Sequence, residues 1–230
     1  VCKMDKIVKI AKKYKLKIVE DAAQAIGSKY NGMMSGSIGD VGCFSAHPLK
    51  NLNAIGDSGY LTTNSKRIYD LAKDLRNHGM TNRDKIKNFG YVSRMDNLQA
   101  AILNYRLSKL PKIINSRRKN YKIYKKYLKK KNIFFPDETK NEFNTYHTFV
   151  IQVPNRDKLR NYLSLKGIGT SIHYPIPIHL QPASKKLGYK RGDFIKTESQ
   201  SKKILTLPIN QYLTEKELIY ISESINNFYK

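Results

Sequence analysis

The sequence predicts an α/β protein, in which short apolar strands alternate with longer amphipathic helices. Val41-Gly42-Cys43-Phe44-Ser45 is brief and mostly apolar, the mark of a buried strand, whereas residues 214–227 repeat their apolar positions at helical spacing. No run approaches the roughly 18 apolar residues of a membrane-crossing helix. The opening Val1-Cys2-Lys3-Met4-Asp5 has no charged-then-apolar signal pattern.

Taken in order, residues 4–14 read as a helix and 16–19 as a short strand running into Glu20-Asp21. Asn31-Gly32 and Ser35-Gly36 punctuate a turn region. Strands are expected at 41–45 and 59–63, then helices at 65–77 and 96–110, with Pro111 near the start of a long basic helix over 113–131. After Pro136 the pattern becomes strand (146–153), helix (156–166), strand (170–173) and a last helix (214–227). The long helix divides the chain into a first domain, 1–112, and a smaller C-terminal one, 113–230, with the helix as bridge. Only three strand candidates precede it, a thin sheet, so the chain is expected to start in the middle of a domain.

The formal net charge is +25. Between Asn97 and Pro136 there is no acid and there are twelve Lys or Arg, among them Arg117, Arg118, Lys119, Lys122, Lys125, Lys126, Lys129, Lys130 and Lys131. Ile113, Ile114, Tyr121, Ile123, Tyr124, Tyr127 and Leu128 interleave with them as the buried stripe of an amphipathic helix whose lysines face water. That pattern argues for a lysine-rich solvated surface, not a nucleic-acid patch. Cys2 and Cys43 make neither a disulfide framework nor a metal site, so a reducing cytoplasm and no metal are expected.

Two clusters carry chemistry. In Val19-Glu20-Asp21-Ala22-Ala23-Gln24 a carboxylate stands just beyond a strand's C-terminal end, where parallel sheets put ligands; alone it reads equally as a helix N-cap. In Phe44-Ser45-Ala46-His47-Pro48-Leu49-Lys50-Asn51-Leu52, followed by Gly56-Asp57-Ser58-Gly59, a lysine follows a buried strand near a hydroxyl and glycines. Such a place suits an amine that must lose its proton and meet an aldehyde, although Lys50 alone reads as one of many surface lysines.

Together these clusters resemble the signature of the DegT/DnrJ/StrS family of pyridoxal phosphate (PLP)-dependent nucleotide-sugar aminotransferases. The resemblance continues through Leu75-Arg76-Asn77-His78-Gly79, Ser93-Arg94-Met95-Asp96, Gln99-Ala100-Ala101, Gly167-Ile168-Gly169-Thr170, the stretch from Ile172 to His179, and Leu205-Thr206-Leu207-Pro208. It implies the aspartate aminotransferase-like fold (fold type I), with part of a large domain followed by a small α+β domain. It also implies that Lys50 holds PLP and shuttles a proton, that Asp21 pairs with the pyridine nitrogen, and that Gln24 lies beside the ring. Ser45 would donate to the phosphate. His47 either faces the site or packs against or caps its loop; Arg94 either clamps an anion or pairs with Asp96 or another acid. His173, Tyr174 and His179 fall in the segment that borders the sugar-nucleotide cleft in the family, and Pro-rich turns with histidines also serve structure alone.

Two departures qualify the match. Val92 stands where many members carry an asparagine that reaches the neighbouring subunit's cofactor phosphate. The N-terminal section that supplies a phosphate-binding turn in relatives is not among these residues, so the chain is expected to be a fragment or the product of a truncated gene that retains PLP poorly. The resemblance implies transfer of an amino group, from an amino-acid donor such as glutamate, to a keto group of a nucleotide-linked deoxy sugar. Lys-Asn-Leu and Gly-Asp-Ser-Gly resemble members that aminate C3. A cytoplasmic homodimer serving polysaccharide biosynthesis is implied with it. The alternative is a non-catalytic or truncated PLP-fold protein that binds a sugar nucleotide without turnover.

Overall fold

The computed structural model describes residues 1–129 and 131–230. Lys130, one of the basic residues expected in the long helix over 113–131, lies outside the described residues. Two compact units are present. The first comprises residues 1–115 and 138–147, the second residues 116–137 and 148–230.

The first unit opens with α1 (Met4–Lys13), whose end determines where the first strand starts. The Leu16 amide closes back on the Ala11 carbonyl at 2.8 Å with Lys15 in the left-handed region (φ 51°), a helix-terminating motif that consumes residues expected in the strand. Ile18 is taken as well, because its amide donates to Asp40 Oδ2 (2.9 Å) and its carbonyl accepts from the Asp40 amide (2.8 Å). Strand β1 is therefore Val19–Asp21 and not 16–19. A hairpin follows, β2 (Lys29–Tyr30) and β3 (Met33–Met34). Its Asn31-Gly32 corner has φ 48° and 80°, the type I′ geometry that Asn-Gly favours. β4 (Val41–Ser45) matches its expected bounds, and β5 (Gly59–Thr62) stops one residue early. β4 is central, parallel to β1 and antiparallel to β5.

Helix α2 (Lys66–Leu75) is capped by the Ser65 hydroxyl, which accepts from the Ile68 amide. A second hairpin, β6 (Met80–Asn82) and β7 (Lys85–Ile86), has a polar sequence with no apolar alternation to announce it. α3 (Asn97–Leu107) then supplies Leu103 to a buried cluster with Ala46, Leu52, Ala54, Leu110 and Ile114. α4 (Leu110–Tyr127) starts at Leu110, with Pro111 in its first turn where a missing amide costs nothing. The segment 138–147 returns to the first unit and adds β8 (Glu142–Phe143) beside β2.

In the second unit, Tyr121, Ile123, Tyr124 and Leu128 are buried while Lys119, Lys122, Lys125, Lys126 and Lys129 are exposed, the amphipathic division their spacing predicts. Among the basic residues of α4, Arg117 is the buried one, and burial pushes its guanidinium down to about 10. Tyr124 stacks on Phe149 (centroids 4.9 Å) and donates to the Pro208 carbonyl at 2.7 Å. β9 (Phe149–Gln152) begins later than the expected 146 because Tyr146 is left-handed (φ 47°). α5 (Arg156–Leu165) follows, and α6 (Ile195–Ser201) precedes β10 (Ile204–Leu207), which pairs antiparallel with β9. The strand expected at 170–173 shrinks to one bridge, Ser171 with Thr206; Pro175 and Pro177 cannot donate to a longer ladder. α7 (Glu215–Phe228) starts with a capping box between Thr214 and Glu217.

Candidate functional site

Strand alternation sorts the first cluster into two faces. Glu20 points to one and Asp21 to the other. The Glu20 carboxylate accepts from the amides of Gly36 (2.7 Å), Ile38 (2.7 Å) and Gly39 (2.6 Å), so it organises the loop before β4. Asp21 is exposed at the C-terminal end of β1, and among the described residues Oδ1 accepts only the Ala23 amide, at 3.1 Å. In the parallel register Asp21 lies opposite Cys43, which places Asp21, Cys43 and Ser45 on the same face of the sheet. That face is open: Val19 and Leu61, whose registers put them on it, are 65% and 43% exposed. Gln24 is exposed in the turn that leaves β1.

β4 runs directly into the loop bearing Lys50. Ser45 Oγ accepts from the His47 amide at 3.3 Å, which leaves its proton free to be donated elsewhere. His47 Nδ1 accepts from the Leu49 amide (3.2 Å), so its proton sits on Nε2, 3.8 Å from Asp57 Oδ1. The Lys50 amide donates to the His47 carbonyl (2.8 Å), and the loop closes at its base through Ala54 N to Ala46 O (2.8 Å). The half-buried Lys50 ammonium has no hydrogen-bond or ion-pair partner among the described residues. Asn51 beside it is buried and donates to the Thr145 carbonyl at 3.1 Å.

Sequence reasoning gave no role to two further residues at this loop. Gln99 accepts from the Ile55 amide (2.9 Å), and Arg106 donates from one terminal nitrogen to the carbonyls of Asn53 (2.7 Å) and Ala54 (3.3 Å). Their seven-residue spacing, two helical turns, was the available signal. Arg94 is exposed and makes no ion pair with Asp96. It lines a cavity of about 790 Å³ with Ser58, Tyr60, Tyr69 and Arg76, where the Ser58 hydroxyl is buried without a partner among the described residues. Val92 is exposed and bridges to Asn77.

The remaining candidates belong to the second unit. His173 Nδ1 meets Thr206 Oγ1 at 2.9 Å, and His173 and the 68%-exposed Tyr174 line a cavity of about 610 Å³. His179 is buried; its Nε2 lies 3.0 Å from Glu198 Oε1 and its ring packs on Phe194. The His179 hydrogen bond, with the Gly192 amide, holds the Glu198 carboxyl below its usual range.

Comparison with known proteins places this geometry. A family model described as the DegT/DnrJ/EryC1/StrS aminotransferase family matches residues 1–226. The chain is 38% identical over 227 residues to a dTDP-3-amino-3,6-dideoxy-alpha-D-galactopyranose transaminase of Aneurinibacillus thermoaerophilus, covering 99% of the chain and 62% of the relative. It is 37% identical over 230 residues to a "pleiotropic regulatory protein" of Geobacillus stearothermophilus, with the same coverage. A crystal structure of S. venezuelae DesV superposes with a TM-score of 0.96 at 32% identity, over 100% of the chain and 62% of that protein. The chain thus spans about 62% of the length of these relatives.

Proposed function

The chain belongs to the DegT/DnrJ/EryC1/StrS aminotransferase family, and on that footing we propose that it is the lysine-bearing part of a PLP-dependent nucleotide-sugar aminotransferase. Residues 1–112 would be the C-terminal part of the PLP-binding large domain, and 113–230 the small domain with its bridging helix. The observation that carries the reading is the open sheet face on which Asp21 and Ser45 lie together, with the Lys50 loop continuing from the same strand.

The donor set fits the cofactor. Among the described residues, an ammonium without a partner, a carboxylate without a cation and a hydroxyl with a proton to give correspond to an aldehyde, a pyridinium and a phosphate. When bound, PLP supplies an aldehyde that takes up an amino group and a ring that delocalises the electron pair left when a proton is removed. Lys50 holds it covalently and, once displaced, carries the proton from the donor's α-carbon. The Asp21 carboxylate keeps the pyridine nitrogen protonated, and Ser45 donates to the phosphate. Gln24 would be the residue beside the ring. His47, Arg94, His173, Tyr174 and His179 are the residues offered for substrate contact or for support of the site.

The donor is glutamate and the acceptor a keto sugar on a nucleotide, aminated at C3, the position named in the Aneurinibacillus relative. Family membership extends the proposal to a cytoplasmic homodimer whose product enters polysaccharide biosynthesis. The test is release of 2-oxoglutarate from L-glutamate in the presence of PLP. With PLP in excess, so that weak retention does not limit loading, the chain is expected to release 2-oxoglutarate, and Asp21→Asn to slow this by roughly 100-fold or more. The similarity to a protein named as regulatory supports a second reading, sugar-nucleotide binding without turnover; it predicts binding of a dTDP-sugar with no 2-oxoglutarate.

A further inference from the structure

We propose that Gln99 and Arg106 of α3 are positioning residues for Lys50, acting through the loop that carries it. The inference rests on the reading of Lys50 as the cofactor-bearing amine. It stands on how one helix face meets one loop. Gln99, Leu103 and Arg106 follow one another at i, i+4 and i+7, a single face of α3. Leu103 is buried in one cluster with Ala46, Leu52 and Ala54, residues that bracket Lys50 on both sides. On one side of this apolar centre the Gln99 carboxamide oxygen takes the Ile55 amide; on the other, Arg106 holds the Asn53 and Ala54 carbonyls.

Residues 53, 54 and 55 thus have their backbone fixed by α3 in succession. The loop's own hydrogen bonds, Ala54 N to Ala46 O and Asn53 Nδ2 to Pro48 O (2.6 Å), pass that restraint to the turn containing Lys50. Gly56 leaves the Gln99 carboxamide its place: a Cβ there would stand 3.1 Å from Gln99 Nε2. A lysine that must both hold a cofactor and move a proton needs its backbone fixed, since small misplacements slow proton transfer more than they weaken binding.

The test compares Arg106→Met, which keeps the apolar stem, and Gln99→Met with the unaltered chain, and uses Arg106→Lys as the conservative variant. Two quantities are measured: backbone amide exchange without PLP, and the single-turnover reaction of L-glutamate with PLP present. In Arg106→Met, exchange at Ala54 and Ile55 should rise about tenfold while β4 stays within about twofold. The limiting rate should fall about tenfold with the half-saturating glutamate concentration nearly unchanged, and Arg106→Lys, which can still reach one carbonyl, should recover most of it. Gln99→Met should act in the same direction at Ile55. Faster exchange with an unchanged limiting rate would make the contacts merely structural and overturn the proposal, as would a rise in exchange shared equally by β4. A chain that protects its loop but turns over no glutamate would instead sink the reading of Lys50, and the positioning role with it, leaving the clamp itself intact.

Discussion

Glu20 and Asp21 are adjacent acids with unrelated work. Because side chains alternate along a strand, Glu20 turns into the loop before β4 and takes three amides, while Asp21 faces the open side of the sheet. Glu20→Ala should therefore cost about 3 kcal/mol in urea unfolding, since it strands three backbone donors. Asp21→Asn should leave stability within about 0.5 kcal/mol while slowing the glutamate half-reaction by roughly 100-fold or more. Neither role was legible from the dipeptide alone; the family match singled out Asp21, and only the register showed what Glu20 does. His179 was less legible still. The family resemblance puts it in a segment bordering the cleft and a Pro-rich turn with histidines reads equally as structural; His179 is buried against Glu198. Glu198's carboxyl sits below its ordinary 4.5, so it contributes stability above that pH that is lost as pH falls through the lowered value. Glu198→Gln should lower the melting temperature at pH 7, and the difference should close as the pH falls through the lowered Glu198 value.

At the scale of elements, α2, α3 and α7 were legible with their own punctuation, whereas α6, whose N-cap residue Phe194 makes no capping hydrogen bond, was not. Ser65 and Thr214 cap α2 and α7, and Asp96 stands at the N-cap position of α3. Thr214→Ala removes the hydroxyl that accepts the Glu217 amide, one half of a capping box, and should cost about 1 kcal/mol, read as a lower denaturation midpoint with an unchanged slope. Leu103→Ala, in the cluster that joins α3 to the lysine loop, should cost about 2–5 kcal/mol. Strands were legible only where they are apolar and central, as β4 is. β1 and β9 start late because Lys15 and Tyr146 take left-handed backbone, which neither residue type announces. The 29–34 hairpin did announce itself, through Asn-Gly; its flanking strands are two residues each, too short for a pattern to register.

At the scale of the whole chain, the charge and the family were legible for different reasons. The excess of lysine is spread over wet faces, as α4 shows, and Arg117, the inward-facing exception, sits among apolar spacing that hides it. The family emerges from many ordered clusters, each weak alone. The return of residues 138–147 to the first unit was not legible, because β8 is two residues long and its partner β2 lies more than a hundred positions away. The central claim is that Lys50 holds PLP. Its most direct measurement is the absorbance spectrum of the chain with excess PLP, beside Lys50→Ala. The account predicts a band near roughly 410–430 nm in the unaltered chain, bleached by borohydride and absent from the variant. The same borohydride-sensitive band in Lys50→Ala, placing the cofactor on another lysine, would contradict it.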